Sequence, residues 1–209
     1  SKAIAAGAKY DGDVWDFFTH KAVPSNALKI FDIMTLAATG SEMNNFAVVT
    51  NDETKEKFSL AGPATYPTVS VINPELQATV GNDYLAYSAA DIFAHSLDMY
   101  LSATYLPEYM AGYVENILKT VMRTTNILLA DANNYEARAE FAWAATQALN
   151  FTTFCGVENN RYDTHFLEHT LSAEYNIAHG AGLSILMPAW MKWQKQFLPE
   201  RFDRFAKVM

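Results

Sequence analysis

The sequence predicts a mostly α-helical chain with a small β portion near its start. Three observations carry this. From about Asp83 onward, apolar residues recur at helical spacing over long stretches. Before that point, short β-prone runs alternate with polar turn residues. Half of the 209 residues are hydrophobic and 13% are aromatic, enough to fill a packed core.

The elements follow in order. Ser1 to Ala8 reads as a helix remnant without a start, as expected of a piece cut from a longer protein. Tyr10 to Ser25 is loop-rich, punctuated by Gly12 and Pro24 around a short Val14 to Phe18 run. Ala27 to Leu36 is apolar enough for a buried strand. Ala47 to Thr50 and Lys57 to Leu60 flank the polar Asn51 to Thr54, a hairpin signal. Thr68 to Ile72 predicts another strand, stopped by Pro74. Helices are then expected over Leu85–Ala103, Met110–Leu129, Asn134–Phe151, Thr164–Tyr175, Gly180–Trp193 and Pro199–Val208. The change of character falls near Asn82.

Bulk properties exclude several classes. The net charge of −8 would repel the phosphates of nucleic acid and anionic lipid. A local basic pocket for a cofactor phosphate remains compatible with it. No run of about 18 apolar residues exists, so neither a membrane span nor a membrane partner is expected. Ser1 to Tyr10 lacks the basic-then-apolar layout of a signal peptide. The single Cys155 cannot form an intramolecular disulfide, which fits a reducing, cytoplasmic setting. Cys155 itself is expected to be a buried apolar filler. Neither Gly-x-Gly-x-x-Gly nor Gly-x-Ser-x-Gly occurs, so the standard dinucleotide fingerprint and the hydrolase nucleophile turn are both absent.

The histidines carry the chemical signal. Four of five, His95, His165, His169 and His179, fall in the helical region, while His20 is expected to be a solvated loop side chain. Asp91 and His95 stand at i and i+4, hence on one helix face; His165 and His169 repeat the spacing. His179 follows at a loop-to-helix junction. One carboxylate with imidazoles from separate elements suits zinc or ferrous iron, with a position left for water or substrate. Each pair alone is equally compatible with packed, hydrogen-bonded core residues. Two other classes stay open: a metal-dependent hydrolase, and a non-catalytic helical interaction domain with core histidines. The first would call for a His-Asp dipeptide or a second carboxylate cluster, and neither is seen. A second candidate segment, Thr35 to Glu42, follows a predicted strand and offers small residues and hydroxyls to a pyrophosphate or ribose.

Several stretches resemble the iron-containing (group III) alcohol dehydrogenases, and within them the NADPH-dependent butanol dehydrogenase branch. They are Tyr10-Asp11-Gly12-Asp13 with Trp15-Asp16-Phe17-Phe18, Thr35 through Asn44, Ala89 through His95, and His165 through Leu183. The resemblance implies a dehydroquinate synthase-like fold. Residues 1–82 would be the remaining, incomplete part of an α/β cofactor-binding domain, and residues 83–209 a helical metal domain short of its last helices. It implies Asp91, His95, His165 and His179 as ligands of Fe2+ or Zn2+, and His169 as a nearby catalytic histidine. It also implies Thr35, Thr39, Ser41 and Lys57 as contacts of NADP(H) or NAD(H). The activity implied is hydride transfer between that coenzyme and a primary alcohol or aldehyde, in a homodimer. The family's Gly-Gly-Gly-Ser segment would lie before Ser1, so the 209-residue chain is expected to turn over weakly or not at all. A glycerol dehydrogenase or dehydroquinate synthase relative is less similar over Thr35 to Asn44 and His165 to His169.

Overall fold

The computed structural model describes residues 1–209. Its first third holds short elements: helices α1 (Lys2–Gly7) and α2 (Trp15–Phe18), and strands β1 (Phe31–Ile33), β2 (Phe46–Asn51), β3 (Glu56–Ala61) and β4 (Val69–Val71). The remainder is helical: α3 (Asn82–Ser102), α4 (Glu108–Ala130), α5 (Tyr135–Ala148), α6 (Asp163–Tyr175), α7 (His179–Gln194) and α8 (Pro199–Val208). The change to helix at Asn82 follows Gly81, which starts α3 without a side-chain cap.

Strands β2 and β3 form the expected antiparallel hairpin, with Phe46 opposite Ala61 and Asn51 opposite Glu56. The Asn51 side chain accepts the backbone N–H groups of Glu53 and Thr54, closing the turn. The strand expected over Ala27–Leu36 is corrected. Only Phe31–Ile33 is extended, paired in parallel with β4. Phe31 and Ile33 are 67% and 61% exposed. Two parallel strands cover neither of their own faces, so an apolar run there is not buried by its ladder alone.

The loop after β1 is pinned to α5. Lys2 is buried, and its ammonium donates to the Ser41 and Asn44 carbonyls and to Asn44 Oδ1. Asn44 donates in turn to the Thr39 and Leu149 carbonyls, and Thr146 Oγ1 donates to the buried Glu42 carboxylate. Gly40 (φ +58°) lies where a Cβ would come 3.3 Å from the Ala145 and Thr146 carbonyls. Its left-handed backbone suits glycine and lets the loop lie against the end of that helix.

Helix α3 is the centre of the helical part, packed against α4, α5, α6 and α7. Ile92 faces a core shared with α4 and α5, including Ile117, Val121 and Phe141. Met99, Tyr100 and Leu101 face a second core with Leu118, Leu183 and Trp190. Burying each such side chain contributes about 1.5–3 kcal/mol. A buried polar group lacking a partner costs about 1–3 kcal/mol. The aliphatics along α3 therefore outweigh the polar residues that the same helix carries inside. Helix α5 begins at Asn134, which accepts the Ala137 N–H as an N-cap, and ends at Ala148 rather than reaching Phe151. Phe151 takes a left-handed conformation (φ +70°) and starts a short 3₁₀ turn, Thr152–Phe154. Cys155 follows and is exposed, so its expected role as a buried filler is corrected. The turn carries it out of the helix interface before it can pack. His20 is exposed in a loop, as expected.

Candidate metal centre

Four side chains converge from three helices. Asp91 and His95 lie on α3, His165 in the first turn of α6, and His179 at the first residue of α7. The Nε2 atoms of His95, His165 and His179 lie 3.5, 3.6 and 3.5 Å from one oxygen, Asp91 Oδ1. Asp91, His95 and His165 are buried. Asp91 Oδ1 and His165 Nε2 have no hydrogen-bond partner despite that burial. Such orphaned polar atoms are costly unless something else binds them. A four-coordinate ion with bonds of about 2.1 Å holds its ligand atoms about 3.4 Å apart. The spacing around Asp91 Oδ1 and the imidazole–carboxylate donor set both fit zinc or ferrous iron.

The arrangement has identifiable causes. The i, i+4 spacing on α3 stacks Asp91 beneath His95. Helix α6 has no capping side chain of its own. Asp98, one turn beyond His95 and fully buried, supplies one from α3. Its carboxylate accepts the Thr164 hydroxyl at 2.7 Å and the Thr164 and His165 N–H groups at 3.3 Å. A carboxylate at a helix start satisfies free N–H groups and complements the helix dipole. The same Asp98 accepts His165 Nδ1–H at 2.8 Å, which leaves His165 Nε2 turned toward Asp91. Tyr162 donates to the His95 carbonyl at 3.0 Å and sets its ring edge-on to His165. Gly180 places α7 directly on α3: a Cβ there would lie 2.0 Å from the Tyr87 carbonyl oxygen.

Electrostatics follow from burial and these partners. Burial alone would raise Asp91, but the facing imidazoles, His95 foremost, hold it well below the usual carboxylate range. Burial lowers His95 to about 3, Asp91 only partly opposing it. Burial would lower His165 too, yet contact with the Asp91 and Asp98 carboxylates raises it to about 9. His95 and His165 stack with ring centroids 4.7 Å apart, so a neutral His95 beside a charged His165 avoids a cation pair.

His169 lies one turn along α6 from His165, its ring 5.5 Å from that of His179. An unperturbed imidazole titrates near neutrality. Burial, then the charge of Lys57, lowers His169 to about 4, so its ring is neutral at neutral pH. His169 and Lys57 line one cleft of about 530 Å³ between α6 and the hairpin, with Phe166, Thr170 and Lys55. Thr35, Thr39 and Ser41 lie outside that lining, in the loop after β1, where Thr35 and Thr39 are exposed. Phe151 and Phe154 form a contact chain that reaches His165 through Tyr162. Phe93 packs against both helical cores.

Sequence reasoning missed Asp98, Tyr162 and Glu168. Asp98 carried a signal: Asp91, His95 and Asp98 stand at i, i+4 and i+7, one helix face. Tyr162 and Glu168 act through neighbours that only the folded chain brings near.

Two family models match the chain. That of the iron-containing alcohol dehydrogenases covers residues 1–74, and that of the C-terminal part of the Fe-containing alcohol dehydrogenase family covers residues 85–209. A probable NADH-dependent butanol dehydrogenase of Bacillus subtilis (strain 168) is 40% identical over 206 residues, 99% of this chain and 53% of the relative. The NADPH-dependent aldehyde reductase YqhD of Escherichia coli (strain K12) is 31% identical over 192 residues, 90% of this chain and 49% of the relative. The crystal structure of NADH-dependent butanol dehydrogenase A from Thermotoga maritima matches with a TM-score of 0.96 at 46% identity, covering 99% of this chain and 52% of that one. The chain thus spans about half the length of the relatives it matches. With both halves of its sequence matched and its fold shared, the chain belongs to the iron-containing alcohol dehydrogenase family.

Proposed function

We propose that this chain forms the metal-holding part, with a portion of the nicotinamide-binding part, of an enzyme that interconverts primary alcohols and aldehydes. One observation carries the reading: three imidazole nitrogens meet a single buried carboxylate oxygen, Asp91 Oδ1, that no protein group satisfies. Asp91, His95, His165 and His179 would hold the ion. When bound, zinc or ferrous iron supplies Lewis acidity toward an alcohol or aldehyde oxygen, and NAD(H) or NADP(H) supplies or accepts hydride. Residues 83–209 would then be the metal domain and residues 1–82 part of the cofactor domain.

The chain's own groups have separable tasks. Asp98 fixes His165, so that ligand needs no reorganisation on loading. His169 is neutral at neutral pH, so a free ring nitrogen can accept a hydrogen bond or a proton in the cleft beside His179. Lys57, in the same cleft, offers a cation to a ribose or phosphate oxygen. Thr35, Thr39 and Ser41 would meet the coenzyme from the loop after β1, where no protein group bonds the Thr35 or Thr39 hydroxyl. The relatives' names include both NADH and NADPH, so either coenzyme fits this proposal.

Elemental analysis of the purified chain tests the metal reading. Wild type is expected to carry about one ion per chain, and His165→Ala a small fraction of that. Equal metal content in the two would overturn it.

A further inference from the structure

We infer that Glu168 is a positioning residue: it aims the His179 ring at Asp91 and, through Lys57, joins the β2–β3 hairpin to that ligand. This rests on the metal reading above. Glu168 lies beside His169 in sequence and is completely buried. Both of its oxygens are engaged. Oε2 accepts His179 Nδ1–H and lies 3.4 Å from Lys57 Nζ, while Oε1 accepts the Ser172 hydroxyl.

An ionised carboxylate can only accept, so the proton between it and His179 belongs on Nδ1. The groups around Glu168, His179 Nδ1–H, the Ser172 hydroxyl and the Lys57 ammonium, are all donors, the surroundings an ionised carboxylate requires. With Nδ1 committed to Glu168, the opposite nitrogen, Nε2, carries the lone pair and faces Asp91 Oδ1 at 3.5 Å. Asp98 does the same for His165, so two of the three imidazoles are held by a buried carboxylate behind them.

The surroundings keep Glu168 in place. A Cβ on Gly182 would come 2.7 Å from its Oε1 and 2.8 Å from its Cγ, so glycine in α7 leaves the room it occupies. The Lys57 side chain is only 14% exposed and reaches Glu168 from β3, which packs on α6. A second ion among Glu168, His169 and His179, which lie within ligand distance of one another, would have to displace these donors. The contact makes the hairpin a structural party to the metal ligand.

The test is a Co2+ titration of the 209-residue chain, followed by visible absorption, on wild type, Glu168→Met, Glu168→Gln and Lys57→Met. Glu168→Met keeps the volume but removes the acceptor. It is expected to weaken Co2+ binding about 10–100-fold and to shift the ligand-field bands. Glu168→Gln restores an acceptor and is expected to recover most of the affinity. Lys57→Met is expected to lose less than Glu168→Met, and wild-type affinity there would overturn the hairpin link. Wild-type binding with an unchanged Glu168→Met titration overturns the inference alone. No Co2+ binding by wild type overturns the metal reading and the inference with it. A measurement without variants stands behind these: nitrogen NMR of metal-free wild type is expected to find the His179 proton on Nδ1. The Nε2–H tautomer would overturn the inference even if Glu168→Met fails to fold.

Discussion

Asp91 Oδ1 is the atom on which three imidazoles close, and one of those rings holds a proton beside it. His165, raised to about 9, carries that proton at neutral pH, while His95, lowered to about 3, does not. Under the proposed metal reading, a divalent ion would need the His165 Nε2 lone pair and would displace that proton. Affinity is therefore expected to rise about tenfold per pH unit between pH 6 and 9 and to level off above. Isothermal titration in buffers of different ionisation enthalpy should find one proton released per ion near pH 7; zero release would contradict it. The meeting of Asp91 and His95 was legible because two side chains sharing a helix face leave an i, i+4 signature. Asp98 stands on that same face at i+7, a weaker signal that names no partner, since His165 lies 67 positions away. Glu168 left no spacing signal, because its contact with His179 spans a loop between two helices.

Among the elements, the closest approach is that of α7 on α3. Gly180→Ala puts a methyl group against the Tyr87 carbonyl, and backbone cannot swing aside as a long side chain does. The expected cost is about 1–3 kcal/mol, read by urea unfolding of the metal-free chain, with a further loss of metal because His179 moves with α7. Unchanged stability would show that the helices separate freely. All six long helices were legible from apolar periodicity, and the hairpin from its polar turn. The strand over Ala27–Leu36 was misread for a physical reason. Apolar composition reports what a segment can bury, not whether a neighbour is present to bury it against. For Phe31 and Ile33 the only strand partner is β4. The end of α5 was overrun because Phe151 leaves the helix through a left-handed turn that its residue type does not announce.

Across the molecule, exposed apolar side chains occur on the helices too, Phe166 and Ile185 among them. On the parallel pair β1–β4, Phe31, Ile33, Val69 and Val71 stand exposed together. Parallel strands are ordinarily covered on both faces. The 209-residue chain is expected to self-associate through this patch, with a sedimentation coefficient that rises with concentration. The double substitution Ile33→Lys with Val71→Lys should hold it monomeric and leave metal content unchanged. A monomeric wild type at high concentration would contradict this. The fold class was legible from composition and periodicity. That residues 1–82 belong to a cofactor domain is a proposal resting on resemblance, since no glycine fingerprint marks them.

His95 differs from the other two imidazoles in one respect: its Nδ1 is buried with nothing to bond. Asp98 also starts a helix, and Glu168 also answers a lysine, so neither can be altered without disturbing something else. Behind His95 no such duty exists. For a protein engineer, or for natural drift, that ring is the free dial of the centre. In the proposed centre, an acceptor introduced opposite its Nδ1 would raise the donor strength of that one ring.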